Sequence, residues 1–220
     1  MIKDKRIALI FRVAALLVAL AGLLDLLGVF SGKVYIGTLY YYTTLSNILA
    51  IILFVMLAVR TVNGIRKGEN GGSCYFPRFA MVCTIDVLIT FVVYWVLLVP
   101  YFGDTMYLWA FGNLAVHAIT PLLCLFDYIL FSEPRRLKRR DILYVAIFPL
   151  CYVVFSSIAG LTGHVYGMSS ADDKPIRFPY FFFDFDRIGA LSLAYIGGLL
   201  IFFCLIGCVF YFIDSKLRKP

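Results

Sequence analysis

Residues 7–30, 35–59, 79–101, 105–131, 142–161 and 188–213 form six runs, each at least twenty residues long and almost wholly apolar. About 20 such residues in a helix cross the roughly 30 Å hydrocarbon layer of a bilayer. A helix also satisfies its own backbone polar groups, as hydrocarbon requires. The runs are continuous rather than alternating, which argues against a membrane β-barrel. Composition points the same way: 62% of the 220 residues are hydrophobic and 15% are charged, against about 45–50% and about 25% in soluble domains. A soluble domain is therefore excluded as the first reading, and so is a disordered chain. Between the runs stand turn residues, such as Ser31-Gly32, Asn70-Gly71-Gly72 and Ser132-Glu133-Pro134. Little sequence remains for a second unit. The expectation is an all-α integral membrane protein, a six-transmembrane-helix bundle made by residues 1–220 as a single domain.

The net charge of +7 would suggest nucleic acid only if it formed one basic surface, and it does not. Sixteen of the twenty Lys and Arg residues fall at the two termini and between runs two and three and runs four and five. The opposite connections hold only Lys33, Lys174, Arg177 and Arg187. By the positive-inside rule both termini are expected in the cytoplasm, with the chain multi-pass in its membrane and no nucleic-acid partner. The first run contains Asp25 and is followed by no small-x-small cleavage motif, so it reads as a span rather than a signal peptide. Five of the six cysteines fall inside runs and Cys74 in a cytoplasmic connection, so they read as packing thiols rather than as disulfides or metal ligands.

Ionisable groups inside spans are costly and usually face the bundle interior. Here they are Arg12, Asp25, Asp86, His117 and Asp127. Arg12 is expected to snorkel to the cytoplasmic face. Asp86 and Asp127 are expected to lean towards Arg78 and the basic run from Arg135. At 1.5 Å per residue, Thr43 lies about 12 Å below the outer boundary if its helix enters near Tyr35. Asn47 is one turn deeper on the same face. Asn113 and His117, again one turn apart, lie about 12 and 18 Å down the fourth run. Asp25, Asp184 and Asp186 sit near the same level. A Thr hydroxyl is a weak nucleophile that needs an adjacent base. The chain has two histidines, and one shares the depth of Thr43. The bland readings are a helix-bridging histidine and hydroxyls bonded to upstream carbonyls. The aromatic segment 178–186 reads either as an interfacial belt or as a loop folded over the outer mouth and lining an acyl-chain pocket.

The string Tyr42-Thr43-Thr44-Leu45-Ser46-Asn47 resembles the aromatic–Thr–x–x–Ser–Asn signature of small prokaryotic six-span membrane proteins, distant relatives of the androgen-induced gene / androgen-dependent TFPI-regulating protein family. Asn113-x-x-x-His117 followed by Pro121 resembles that family's His-bearing span, and Pro179-Tyr180 through Asp184 and Gly189 resembles the aromatic loop of the prokaryotic branch. The likeness runs along the whole chain by span count and motif order, and its most specific element is the His-Pro pair. Animal members are intramembrane threonine hydrolases that cleave fatty acid esters of hydroxy fatty acids with one Thr and one His. The resemblance implies that these fall on Thr43, with Thr44 as the neighbouring alternative, and on His117.

The functional expectation is an intramembrane lipid ester hydrolase that draws its substrate from the bilayer and needs neither metal nor cofactor. Thr43 is the nucleophile and His117 the base, Asn47 or Asn113 holds the oxyanion, and Asp25 or Asp184 orients the imidazole. The rival expectation is a non-enzymatic transporter or lipid-binding protein using Asp25, Asp86 and Asp127 as a proton path.

Overall fold

The computed structural model describes residues 1–102, 108–133, 135–169 and 172–217. It contains six helices long and apolar enough to cross a membrane: α1 (Lys5–Leu26), α2 (Tyr42–Arg66), α3 (Pro77–Tyr101), α4 (Phe111–Phe131), α5 (Arg139–Leu161) and α6 (Leu191–Ser215). All six expected runs are therefore present as helices. The expected start of the fourth run at 105, Pro134 of the turn before α5, and the basic residues Arg218 and Lys219 lie outside the described residues. The described part departs from all-α only at a two-stranded antiparallel hairpin, β1 (Gly167–Met168) with β2 (Pro175–Ile176), in the connection before α6.

The helix ends differ from the sequence expectation for identifiable reasons. Asp4 caps α1 by accepting the Arg6 amide at 2.7 Å. The helix stops four residues early because the chain reverses at Gly28, whose φ of +77° is open to glycine, and a Cβ there would meet Lys33 O. Helix α2 starts at Tyr42 rather than near Tyr35, because residues Ile36–Tyr40 form a separate 3₁₀ turn and Tyr41 is extended. Thr43 thus stands in the first turn of α2 instead of two turns inside it. Pro77 opens α3 in the position where its missing N–H costs nothing.

Helix α1 packs along α2 and the first half of α4, α3 lies against both α2 and α4, and α6 closes on the start of α5. Leu53, Leu57, Met81, Ile85 and Tyr128 form the core between α2, α3 and α4. A second apolar cluster, Leu98 with Phe178, Phe182 and Phe183, joins the end of α3 to the connection before α6. Large apolar side chains such as Ile10, Leu17, Val154 and Ile201 point outward, as lipid-facing residues do.

Helix α1 approaches α4 closely at Gly22. A Cβ on Gly22 would sit 2.1 Å from the Cβ of Ala115. Gly22→Ala is expected to cost about 1–3 kcal/mol through overpacking. Adding Ala115→Gly to that variant should restore most of the loss by exchanging the two methyl positions. Thermal unfolding in detergent measures both, and an unchanged midpoint in Gly22→Ala would show that the helices are not in this register.

Candidate functional site

The first turn of α2 and the middle of α4 meet at Thr43 and His117. Thr43 Oγ1 lies 3.3 Å from His117 Nε2, with both side chains buried. His117 Nδ1 lies 3.0 Å from the Asn113 carbonyl oxygen. A carbonyl can only accept, so Nδ1 carries the ring proton. Nε2 of the neutral imidazole is then the acceptor, and it faces the threonine hydroxyl. Thr44 is buried beside it, but Thr43 is the residue placed at the imidazole.

Backbone irregularity holds this geometry. Residues Ala115–Ile119 form a π turn inside α4, in which the Thr120 amide bonds Ala115 O instead of Val116 O. The freed Val116 carbonyl accepts the Asn47 side-chain amide at 3.1 Å. Pro121 has no N–H to offer His117 O, and that carbonyl accepts the Trp95 indole at 3.2 Å. Both carbonyls that regular α geometry would bury inside the ladder are therefore paired across helices, as buried backbone groups must be. A second π turn, Tyr94–Leu98 in α3, faces the first. It carries Tyr94, whose ring stacks on the imidazole with centroids 3.7 Å apart and planes 22° apart. Such turns recur at functional sites.

The supporting residues expected from sequence are distributed as follows. Asn47 and Asn113 are both at the site, yet their amide protons are committed. Asn47 donates to Thr43 O and Val116 O, and Asn113 donates to the Tyr94 hydroxyl and Leu108 O. Their work is to tie α2 to α4 and to hold Tyr94 over the imidazole, which leaves no amide proton for an oxyanion. Asp25 accepts the Gly112 amide at 2.8 Å, so it caps the N-terminus of α4 from α1 and does not reach the imidazole. Asp184 caps the short helix Phe185–Ile188 and pairs with Arg187 at 3.1 Å. The Asn113 carbonyl occupies the place at Nδ1 that a carboxylate was expected to fill.

The remaining intramembrane charges also differ from expectation. Arg12 does not snorkel: it is buried and its guanidinium grips Asp127, with Nε to Oδ1 at 2.8 Å. Arg78 pairs with Asp141 instead of Asp86. Asp86 Oδ1 accepts the Tyr42 hydroxyl at 3.1 Å, while its Oδ2 has no partner among the described residues. Asp25, Asp86 and Asp127 thus have separate partners, and no hydrogen-bonded path among the described residues joins them.

Thr43 opens onto a small cavity of about 80 Å³. Its wall is almost entirely apolar or aromatic, with Tyr42, Tyr94, Phe182, Phe183, Leu199 and Phe203 among the lining residues. The aromatic segment packs inward: Phe178, Phe182 and Phe183 are buried, and Tyr180, Phe182 and Phe183 line the cavity. The loop is fastened by Arg177 to Asp186 and by Arg187 to Asp172 and Asp184. The Arg177 guanidinium holds the Asp186 carboxyl below its ordinary range. Tyr94 and Tyr152 were not singled out from sequence. Only the aromatic pair Tyr94-Trp95, in the second half of an apolar run, was there to suggest the first.

No family model, no curated protein and no solved structure matches the chain.

Proposed function

We propose that this chain is an intramembrane hydrolase of lipid esters, working by an acyl-threonine intermediate, and a distant member of the androgen-induced gene / androgen-dependent TFPI-regulating protein family that its motifs resemble. The observation that supports the reading is the Thr43–His117 contact at 3.3 Å, made at the wall of an apolar cavity. A base must stand within hydrogen-bond reach of the proton it takes, and such contacts are often loose before substrate binds.

Thr43 Oγ attacks the ester carbonyl carbon as its proton passes to His117 Nε2. The tetrahedral intermediate collapses, the alcohol leaves with the proton from Nε2, and the acyl group remains on Thr43. Water then attacks the acyl-threonine, gives a proton to Nε2, and releases the acid as Thr43 recovers its proton. Throughout, Nδ1–H stays on the Asn113 carbonyl, so the imidazolium forms with its partner already in place. The apolar wall accommodates the acyl chain, and a buried site in a membrane bundle draws its substrate from the lipid. The distribution of basic residues supports cytoplasmic termini and a site in the outer half of the membrane, and the motif resemblance supports a prokaryotic plasma membrane.

A fluorophosphonate probe on the purified protein in detergent tests the reading. The adduct is expected on Thr43 by peptide mass spectrometry and to disappear in Thr43→Ala. Labelling on Thr44 alone, or labelling indifferent to both threonines, would remove Thr43 from the mechanism.

A further inference from the structure

An acyl transfer through Thr43 generates an oxyanion, and both asparagine amides beside it are already spent. Tyr180 of the aromatic loop is a polar side chain that lines the same cavity as Thr43. Its hydroxyl oxygen lies 3.1 Å from the Tyr42 backbone N–H. An N–H only donates, so this contact uses a lone pair of the phenol and leaves the phenolic proton free for another acceptor. The amide that it accepts belongs to the residue before Thr43, and Tyr180 and Thr43 line the same cavity. Tyr152 directs its own proton to Tyr40 O at 3.1 Å. The ring is held flat against Phe182, with centroids 5.2 Å apart and planes 2° apart, and edge-on against Tyr41. The phenol is therefore fixed in direction before substrate arrives, which is the condition for strong oxyanion stabilisation. Burial pushes its ionisation above that of an ordinary tyrosine, so the donor keeps its proton. The first-turn amides of α2 open at the same end, since a helix cannot pair them internally.

We infer that Tyr180 is a catalytic residue, its hydroxyl donating a hydrogen bond to the ester carbonyl oxygen as Thr43 attacks. This rests on the hydrolase reading above. No proton is transferred: the phenol keeps its hydrogen, the developing alkoxide accepts the bond, and it releases the bond when the carbonyl re-forms. The placement also makes the loop part of the active site, so the oxyanion site is complete only when the loop is seated over α2.

The test uses para-nitrophenyl decanoate with the full-length protein in detergent micelles. Tyr180→Phe is expected to lower kcat by about 10²–10³-fold, the usual cost of one oxyanion donor, with KM changed little. Because that variant also strips the Tyr42 amide of its acceptor, 3,5-difluorotyrosine at position 180 supplies the second measurement. It retains ring and acceptor but ionises more easily, so the alkaline limb of the kcat/KM profile should move to lower pH. A merely structural tyrosine would leave that limb in place. Wild-type turnover in Tyr180→Phe, or an unmoved alkaline limb, overturns the assignment while leaving Thr43 and His117 as they are. Wild-type protein without Thr43- and His117-dependent hydrolysis overturns both.

Discussion

Alanine at His117 is expected to slow ester hydrolysis by about 10²–10⁴-fold, the range that a positioned general base supplies, and alanine at Thr43 to reduce it to background. The two effects should not add. Once the nucleophile is gone the base has no proton to take, so Thr43→Ala with His117→Ala should be no slower than Thr43→Ala alone, as for other groups that act as a unit. Thr43→Ser keeps a hydroxyl on α2 and should retain measurable turnover, whereas Thr44→Ala should be close to wild type. Initial rates with para-nitrophenyl decanoate across these five variants decide the matter. If His117→Ala retains more than half of the activity, the imidazole is not the base. In that case its stack with Tyr94 and its bond to Asn113 O would describe a packing histidine.

What sequence makes legible here is whatever depends on composition alone. Continuous apolarity is enough to find six helices, since hydrocarbon demands the same property at every position of a span. One-turn spacing is enough to put Thr43 with Asn47, and Asn113 with His117. The helix faces meet as the common depth suggested, although Thr43 is not two turns inside its helix: the 3₁₀ turn at 36–40 leaves it in the first turn of α2. The partners of polar groups were harder to read. The π turn at Ala115–Ile119 has no pattern of apolar residues to reveal it. Its stability comes from Asn47 and Trp95, which take the carbonyls it releases and lie far away in the chain. Pro121 was the local clue, because a proline four residues after His117 must leave that carbonyl unpaired. The same reasoning explains why carboxylates were expected at His117. A histidine's second nitrogen needs an acceptor, and sequence cannot distinguish a distant carboxylate from the backbone carbonyl one turn away.

Methionine at Arg12 is expected to destabilise the bundle by about 3–5 kcal/mol, the cost of stranding a buried charge by removing its partner. Arg12 and Asp127 are 115 residues apart and were each expected to reach the cytoplasmic surface separately. Instead the guanidinium sits inside the bundle over the Phe131 ring, bidentate to Asp127 at 2.8 and 3.3 Å. It also donates to Thr61 Oγ1 at 2.7 Å and Ser73 O at 3.0 Å. One side chain of α1 therefore joins α4, α2 and the connection after α2. Asp127→Leu should cost as much as Arg12→Met, because either change leaves one charge without its counterion. The double variant Arg12→Met, Asp127→Leu should recover a large part of the loss, since apolar residues replace a buried pair at little net cost. Recovery should stop short of wild type by about 1–3 kcal/mol, because Ser73 O then loses its donor in a buried place. Thermal or denaturant unfolding of the three variants in detergent gives all of these values. Single variants within about 1 kcal/mol of wild type would mean that the pair is solvated, as exposed pairs are, and that α1 is held by its apolar contacts alone.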